Sequence, residues 1–107
     1  MNLTALQILT ETINARREAA AGKSYTRQLL DAGTPKCAKK LGEESAEVII
    51  AALTEDDVAL HGEAADLIYH LLVLLESRGT DLGPVLDILA RRHGISGIDE
   101  KASRKSS

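Results

Sequence analysis

The sequence contains no phenylalanine or tryptophan, and only two tyrosines, two prolines and a single cysteine in 107 residues. With aromatics at 2%, a core has to be built from Leu, Ile, Val and Ala. That alphabet suits close-packed helices, where Ala and Leu have the best propensities and small side chains let helix axes approach. Alternating runs of β-branched and aromatic residues are missing, which argues against strands. The stacking aromatics of a single-strand nucleic-acid binder are absent too, and a formal net charge of −3 provides no field to attract a polyanion. Cys37 alone cannot close an intrachain disulfide, and the N-terminus lacks the basic-then-apolar pattern of a signal peptide, so a reducing cytoplasm is expected. The longest apolar candidate, Leu67 to Leu75, falls short of the roughly 20 residues that cross a bilayer and contains Tyr69 and His70. No membrane partner is expected.

What is present is 44% hydrophobic and 27% charged, ordinary globular usage at a length that fits one domain, read as residues 1–107. The expected architecture is all-α, a small bundle of about five helices. Thr4 with Gln7 forms a capping-box pattern, and Leu6, Leu9 and Ile13 carry a first helix from about Ala5 to Ala21, stopped by Gly22. Ser24 caps a short helix with Leu29 and Leu30, ended by Gly33. Thr34-Pro35 opens a third helix to about Leu53, on which Cys37, Leu41, Val48 and Ala52 form an apolar stripe. The acids Glu55, Asp56 and Asp57 cap a fourth helix that runs to about Arg78 and is apolar nearly all round from Ala64 to Leu75, as a central buried helix would be. Asp81 caps a fifth, with Leu82, Val85, Leu86 and Leu89 inward and Gly94 at its end. After Ile98 the run DEKASRKSS lacks apolar periodicity, and by composition residues 99–107 read as a mobile tail.

The chemistry lies in two acidic pairs, Glu44 with Glu47 and Glu63 with Asp66. Carboxylates three residues apart share a helix face. Two such pairs on facing helices converge on one point, and a bundle interior tolerates that charge only if a cation neutralises it. Hard oxygen ligands point to Mg²⁺, with Mn²⁺ as the substitute, and Mg²⁺ normally coordinates substrate phosphates. A polyphosphate substrate follows. Lys36, Lys39 and Lys40 precede the first pair; Lys40, one turn before Glu44, is placed to meet a phosphate or to pair with Glu44. His70 shares the seam of Glu63 and Asp66, where a hydrogen-bonded core histidine is the ordinary reading and a role behind the ligands the functional one. Cys37 is read as packing.

The segments KKLGEESAEVIIAAL and EAADLIYHLLVLL, with KSYTRQLLDAGTPK (Lys23 to Lys36) and SGIDEKASRK (Ser96 to Lys105), resemble the phosphoribosyl-ATP pyrophosphatases of histidine biosynthesis, a branch of the MazG-like all-α nucleotide pyrophosphohydrolases. The resemblance implies Mg²⁺-dependent hydrolysis of 1-(5-phospho-β-D-ribosyl)-ATP between its α and β phosphates. It implies metal binding by Glu44, Glu47, Glu63 and Asp66. Glu43 becomes an outer ligand or a proton acceptor for the attacking water, so the catalytic acids are Glu43, Glu44 and Glu47. Ser24, Tyr25, Thr26 and Lys40 become contacts to substrate phosphates or riboses, with Lys36 of the lysine run as a further substrate-binding candidate whose ordinary reading is solubility, and Lys101 and Arg104 could close over an anionic substrate. It also implies at least a homodimer, as does a fourth helix too apolar for so short a chain to cover. The rival readings are a MazG-type pyrophosphohydrolase of nucleoside triphosphates and a non-catalytic helical dimerisation module.

Overall fold

In a computed structural model, which describes residues 1–18 and 24–93, the chain is all-α, with five helices and no strand among the described residues. They are α1 (Leu3–Ala15), α2 (Tyr25–Ala32), α3 (Thr34–Thr54), α4 (Asp57–Ser77) and α5 (Leu82–Arg91), with a 3₁₀ turn, Arg16–Glu18, after α1. The expected stops at Gly22 and Gly94 and the expected mobile tail lie outside the described residues, as do Lys101 and Arg104.

Side-chain chemistry at the helix ends decides most boundaries. Ser24 Oγ accepts from the Arg27 amide at 3.3 Å, Asp56 Oδ1 from Ala59 at 2.9 Å and Asp81 Oδ1 from Gly83 at 2.8 Å, each satisfying an amide the helix itself leaves free. Gly33, at φ +95°, ends α2 and starts α3 in a single residue, a backbone conformation that side-chain-bearing residues rarely adopt. Gly79, at φ +74°, closes α4: its amide reaches the Glu76 carbonyl at 2.9 Å while that of Thr80 reaches Leu75 at 3.1 Å. One expectation is corrected. The α1 cap is Asn2, whose Oδ1 accepts from Ala5 at 3.2 Å, so the helix begins two residues before the Thr4 pattern indicated and α-helical geometry ends at Ala15.

Helices α3 and α4, both 21 residues and joined by Glu55 and Asp56 alone, form an antiparallel hairpin about 30 Å long. Its far end is tied by the Thr34 and Ser77 hydroxyls, 3.0 Å apart. Against that end pack α1 and α2, giving a core of Ile13, Leu29, Cys37, Leu72 and Val73. Cys37 donates to the Leu29 carbonyl at 3.3 Å, and burial pushes its thiol pKa up, as packing rather than reactivity requires. By length and a mean hydropathy of 1.4, α4 could cross a bilayer. It is instead the core helix: His70, Leu72, Val73 and Glu76 are buried against its neighbours.

Three packing expectations change. On α3 the buried small residue is Ala51, fully enclosed, whereas Ala52 is exposed. On α5, Leu82 and Val85 are half-buried but Leu86 and Leu89 are exposed, because few neighbours reach that helix. On α4, Val58 and Ile68 are left in solvent. The apolar-all-round pattern is therefore not used up inside one chain.

Glu76 is the buried charge that fastens α1 to α4. It is 6% exposed, accepts from Asn14 Nδ2 at 3.1 Å and is paired with Arg17, whose guanidinium also bonds the Glu76 carbonyl. Glu76→Ala leaves the Arg17 guanidinium, itself part-exposed, without its carboxylate and should cost about 1–3 kcal/mol in urea unfolding. An unchanged midpoint would mean that the pair holds nothing.

Candidate metal and phosphate site

Two residues on each helix of the hairpin supply the acidic site. Glu44 and Glu47 lie on α3, Glu63 and Asp66 on α4, and the two-residue connection sets the helices in the register that opposes them. One carboxylate oxygen from each of Glu44, Glu63 and Asp66 lies within 4.8 Å of the other two. Glu47 stands outside this triangle, but its charge still reaches Glu63. Glu44 and Glu63 are half-buried, Glu47 and Asp66 exposed. The site is thus an open face of the hairpin and not the enclosed bundle interior expected from the sequence, because α1 and α2 pack against the other end.

The electrostatics fit a cation. Partial burial, then the charges of Glu47, Asp66, Glu44 and Glu55, push the Glu63 carboxyl above its ordinary pKa. Glu43 behaves oppositely. It is outside the triangle and bonded to Lys40 at 3.2 Å, which holds its carboxyl below the usual range. Lys40 thus pairs with Glu43 and not with Glu44, and its own pKa is raised by that bond and by Tyr25.

One turn along α3 from Glu44, Lys40 lines a cleft of about 230 Å³ with Lys36, Tyr25, Gln28, Leu29 and Ala32. Two cations from α3 with a phenol and an amide from α2 make a surface suited to phosphate or ribose oxygens. Ser24 and Thr26 have structural duties. The Ser24 hydroxyl caps α2, and Thr26 is 8% exposed with its hydroxyl bonded to that of Tyr69. Gln28 was not singled out from the sequence, although it sits one turn after Tyr25 on the same helix face. A larger groove of about 490 Å³ between α1 and α5, lined by Leu3, Leu6, Leu82 and Leu86, is apolar and holds none of the acids of the triangle.

Residues 6–93 match the family described as phosphoribosyl-ATP pyrophosphohydrolase. The chain is 55% identical over 102 residues to the phosphoribosyl-ATP pyrophosphatase of Erythrobacter litoralis, covering 95% of this chain and 98% of that protein. It is 54% identical over 97 residues to phosphoribosyl-ATP pyrophosphatase 1 of Bradyrhizobium diazoefficiens, covering 91% and 92% respectively. With the phosphoribosyl-ATP pyrophosphatase of Dinoroseobacter shibae it shares 51% over 102 residues, 95% of this chain and all of that one.

A raised carboxylate pKa stabilises the fold only where the group is protonated. In chelator, the penalty from Glu63 is therefore absent below the ordinary carboxylate range, grows as pH rises through it, and is complete above the raised folded value. Glu63→Gln should accordingly raise the melting temperature of the metal-free protein at neutral pH, with the advantage disappearing at acid pH. A variant that melts lower at neutral pH in chelator would show that the acids do not repel.

Proposed function

The chain belongs to the phosphoribosyl-ATP pyrophosphohydrolase family, and from that premise we propose that it hydrolyses phosphoribosyl-ATP to phosphoribosyl-AMP and pyrophosphate, an early step of histidine biosynthesis, in the cytoplasm. The observation that carries the reading is the convergence of Glu44, Glu63 and Asp66. Three hard-oxygen donors, one of which holds its proton more tightly through partial burial and then the neighbouring acids, form a donor set suited to Mg²⁺ or Mn²⁺. Glu44, Glu63 and Asp66 would hold the ion, with Glu47 as the fourth ligand. Bound there, Mg²⁺ supplies polarisation of phosphoryl oxygens and charge neutralisation of the pyrophosphate leaving group.

The chain's own groups position the reactants. Lys40 and Lys36 receive phosphate oxygens at the cleft one turn from the acids, and Tyr25 and Gln28 offer hydrogen bonds beside them. Ser24 and Thr26 contribute by holding α2, and so Tyr25, in place. A phosphate that draws Lys40 away also removes the partner that suppresses Glu43 basicity. Ligand arrival then readies Glu43 to orient the attacking water and accept its proton. Attack at the α phosphorus breaks the bond to the oxygen bridging α and β, and that oxygen leaves on pyrophosphate.

The working form is proposed to be a homodimer. Ile49, Leu53 and Val58 are 60%, 79% and 81% exposed around the free end of the hairpin, on the helices that carry the acids. The radius of gyration, 16.0 Å, exceeds the roughly 13 Å of a compact domain of this length. A second copy over this end would cover the apolar face and enclose the acids. Sedimentation should give the mass of two chains, and a monomer at assay concentration would remove the dimer from the account.

The functional test is pyrophosphate release from phosphoribosyl-ATP. Release should require Mg²⁺, cease in chelator, and fall about 100-fold or more in Glu44→Gln and Asp66→Asn with helical circular dichroism retained. Preference for a free nucleoside triphosphate would overturn the substrate assignment. Silent variants would reduce the acids to a structural role.

A further inference from the structure

His70 is 7% exposed on α4, one turn beyond Asp66, and both of its ring nitrogens face partners. Nδ1 lies 2.9 Å from the Asp66 carbonyl oxygen, an acceptor only, so Nδ1 carries the proton. In the neutral ring Nε2 is then a lone pair, and the Tyr25 hydroxyl lies 3.4 Å from it. The aromatic contacts hold the same arrangement. Tyr69 meets the His70 ring edge-on at 5.0 Å, Tyr25 meets it edge-on at 6.1 Å, and Tyr69 is bonded through its hydroxyl to Thr26 on α2. Tyr25 is half-exposed and lines the lysine cleft.

We propose that His70 is a positioning residue: its Nε2 accepts a hydrogen bond from the Tyr25 hydroxyl and so turns the Tyr25 oxygen, as a fixed hydrogen-bond acceptor, toward a hydroxyl of the substrate's ribose at the Lys36/Lys40 cleft. The chemistry of the cleft selects that group. The lysines supply positive charge for phosphate oxygens, and all their protons are donors. A phenol whose proton is committed to imidazole adds what they lack, a neutral acceptor for an O–H donor. This deepens the proposed function and rests on it, since the cleft is taken as part of the phosphoribosyl-ATP site. His70 touches no substrate and acts through Tyr25.

The imidazole can be divided by substitution. His70→Asn keeps an amide donor at the position of Nδ1, so the bond to the Asp66 carbonyl survives, but nothing reaches Tyr25. His70→Gln places an amide oxygen near the position of Nε2 and restores an acceptor for the phenol. Tyr25→Phe removes the phenol oxygen alone, at a side chain exposed enough that the fold does not depend on it.

Steady-state turnover of phosphoribosyl-ATP by the full chain with Mg²⁺ reads the result. Tyr25→Phe and His70→Asn should each raise KM about three- to tenfold with kcat within about twofold, and the double variant should be no worse than either single. His70→Gln should recover most of the loss. The Mg²⁺ concentration for half-maximal activity should be unchanged in His70→Asn. Additive effects, an unchanged KM, or a fall in kcat with weakened Mg²⁺ dependence would overturn the proposal, the last by making Asp66 the target of His70. Should His70→Asn fail to fold, Tyr25→Phe decides alone: an unchanged KM there overturns it. Wild-type chain that does not turn over phosphoribosyl-ATP would refute the proposed function first, and this inference with it.

Discussion

Mutual repulsion among carboxylates across the α3–α4 seam is the constraint around which this chain is arranged. Leu, Ala and Val along that seam drive the two helices together, and the two-residue connection leaves them little choice of register. The register that buries Ala51 also brings Glu44, Glu63 and Asp66 to one point. Folding thereby works against itself locally: partial burial first, and then the neighbouring carboxylates, make Glu63 hold its proton more tightly than an isolated glutamate. A divalent cation held there, as proposed, would convert the same arrangement from a liability into a binding site.

The rest of the fold keeps that conflict away from the core. The helices α1 and α2 cover the opposite end of the hairpin, where Cys37, Leu72 and Val73 are enclosed and Glu76, the one buried carboxylate among the described residues, is matched by Arg17 and Asn14. The enclosed core lies at that end and the acidic cluster at the other. The boundary between them is the polar aromatic group of Tyr25, Tyr69, Thr26 and His70, where α2 meets α4 one turn from Asp66.

What could be read from the sequence follows the range of the interaction responsible. Caps at Ser24, Asp56 and Asp81 and the elbow at Gly33 depend on atoms within a few residues, and they were legible. At α1, Thr4 and Asn2 are both competent caps, and local pattern could not rank them. Ala51 and Ala52 differ by one helical step, so which is enclosed depended on where α4 lay. Lys40 had acids at both i+3 and i+4, and its choice of Glu43 is a rotamer outcome that spacing alone does not fix. The acidic quartet was legible as two pairs at helical spacing, but the openness of their site was not, since that depends on which end α1 and α2 cover. The contact of Tyr25 with His70 spans 45 residues and two helices and leaves no periodic trace.

The central claim is that Glu44, Glu63 and Asp66 bind a divalent cation, and Mn²⁺ titration followed by electron paramagnetic resonance tests it without reference to turnover. The account predicts saturable binding to the substrate-free chain that is lost or greatly weakened in Asp66→Asn and in Glu63→Gln, and competed by Mg²⁺. Mn²⁺ binding that is the same in wild type and both variants would place the cation elsewhere and contradict it.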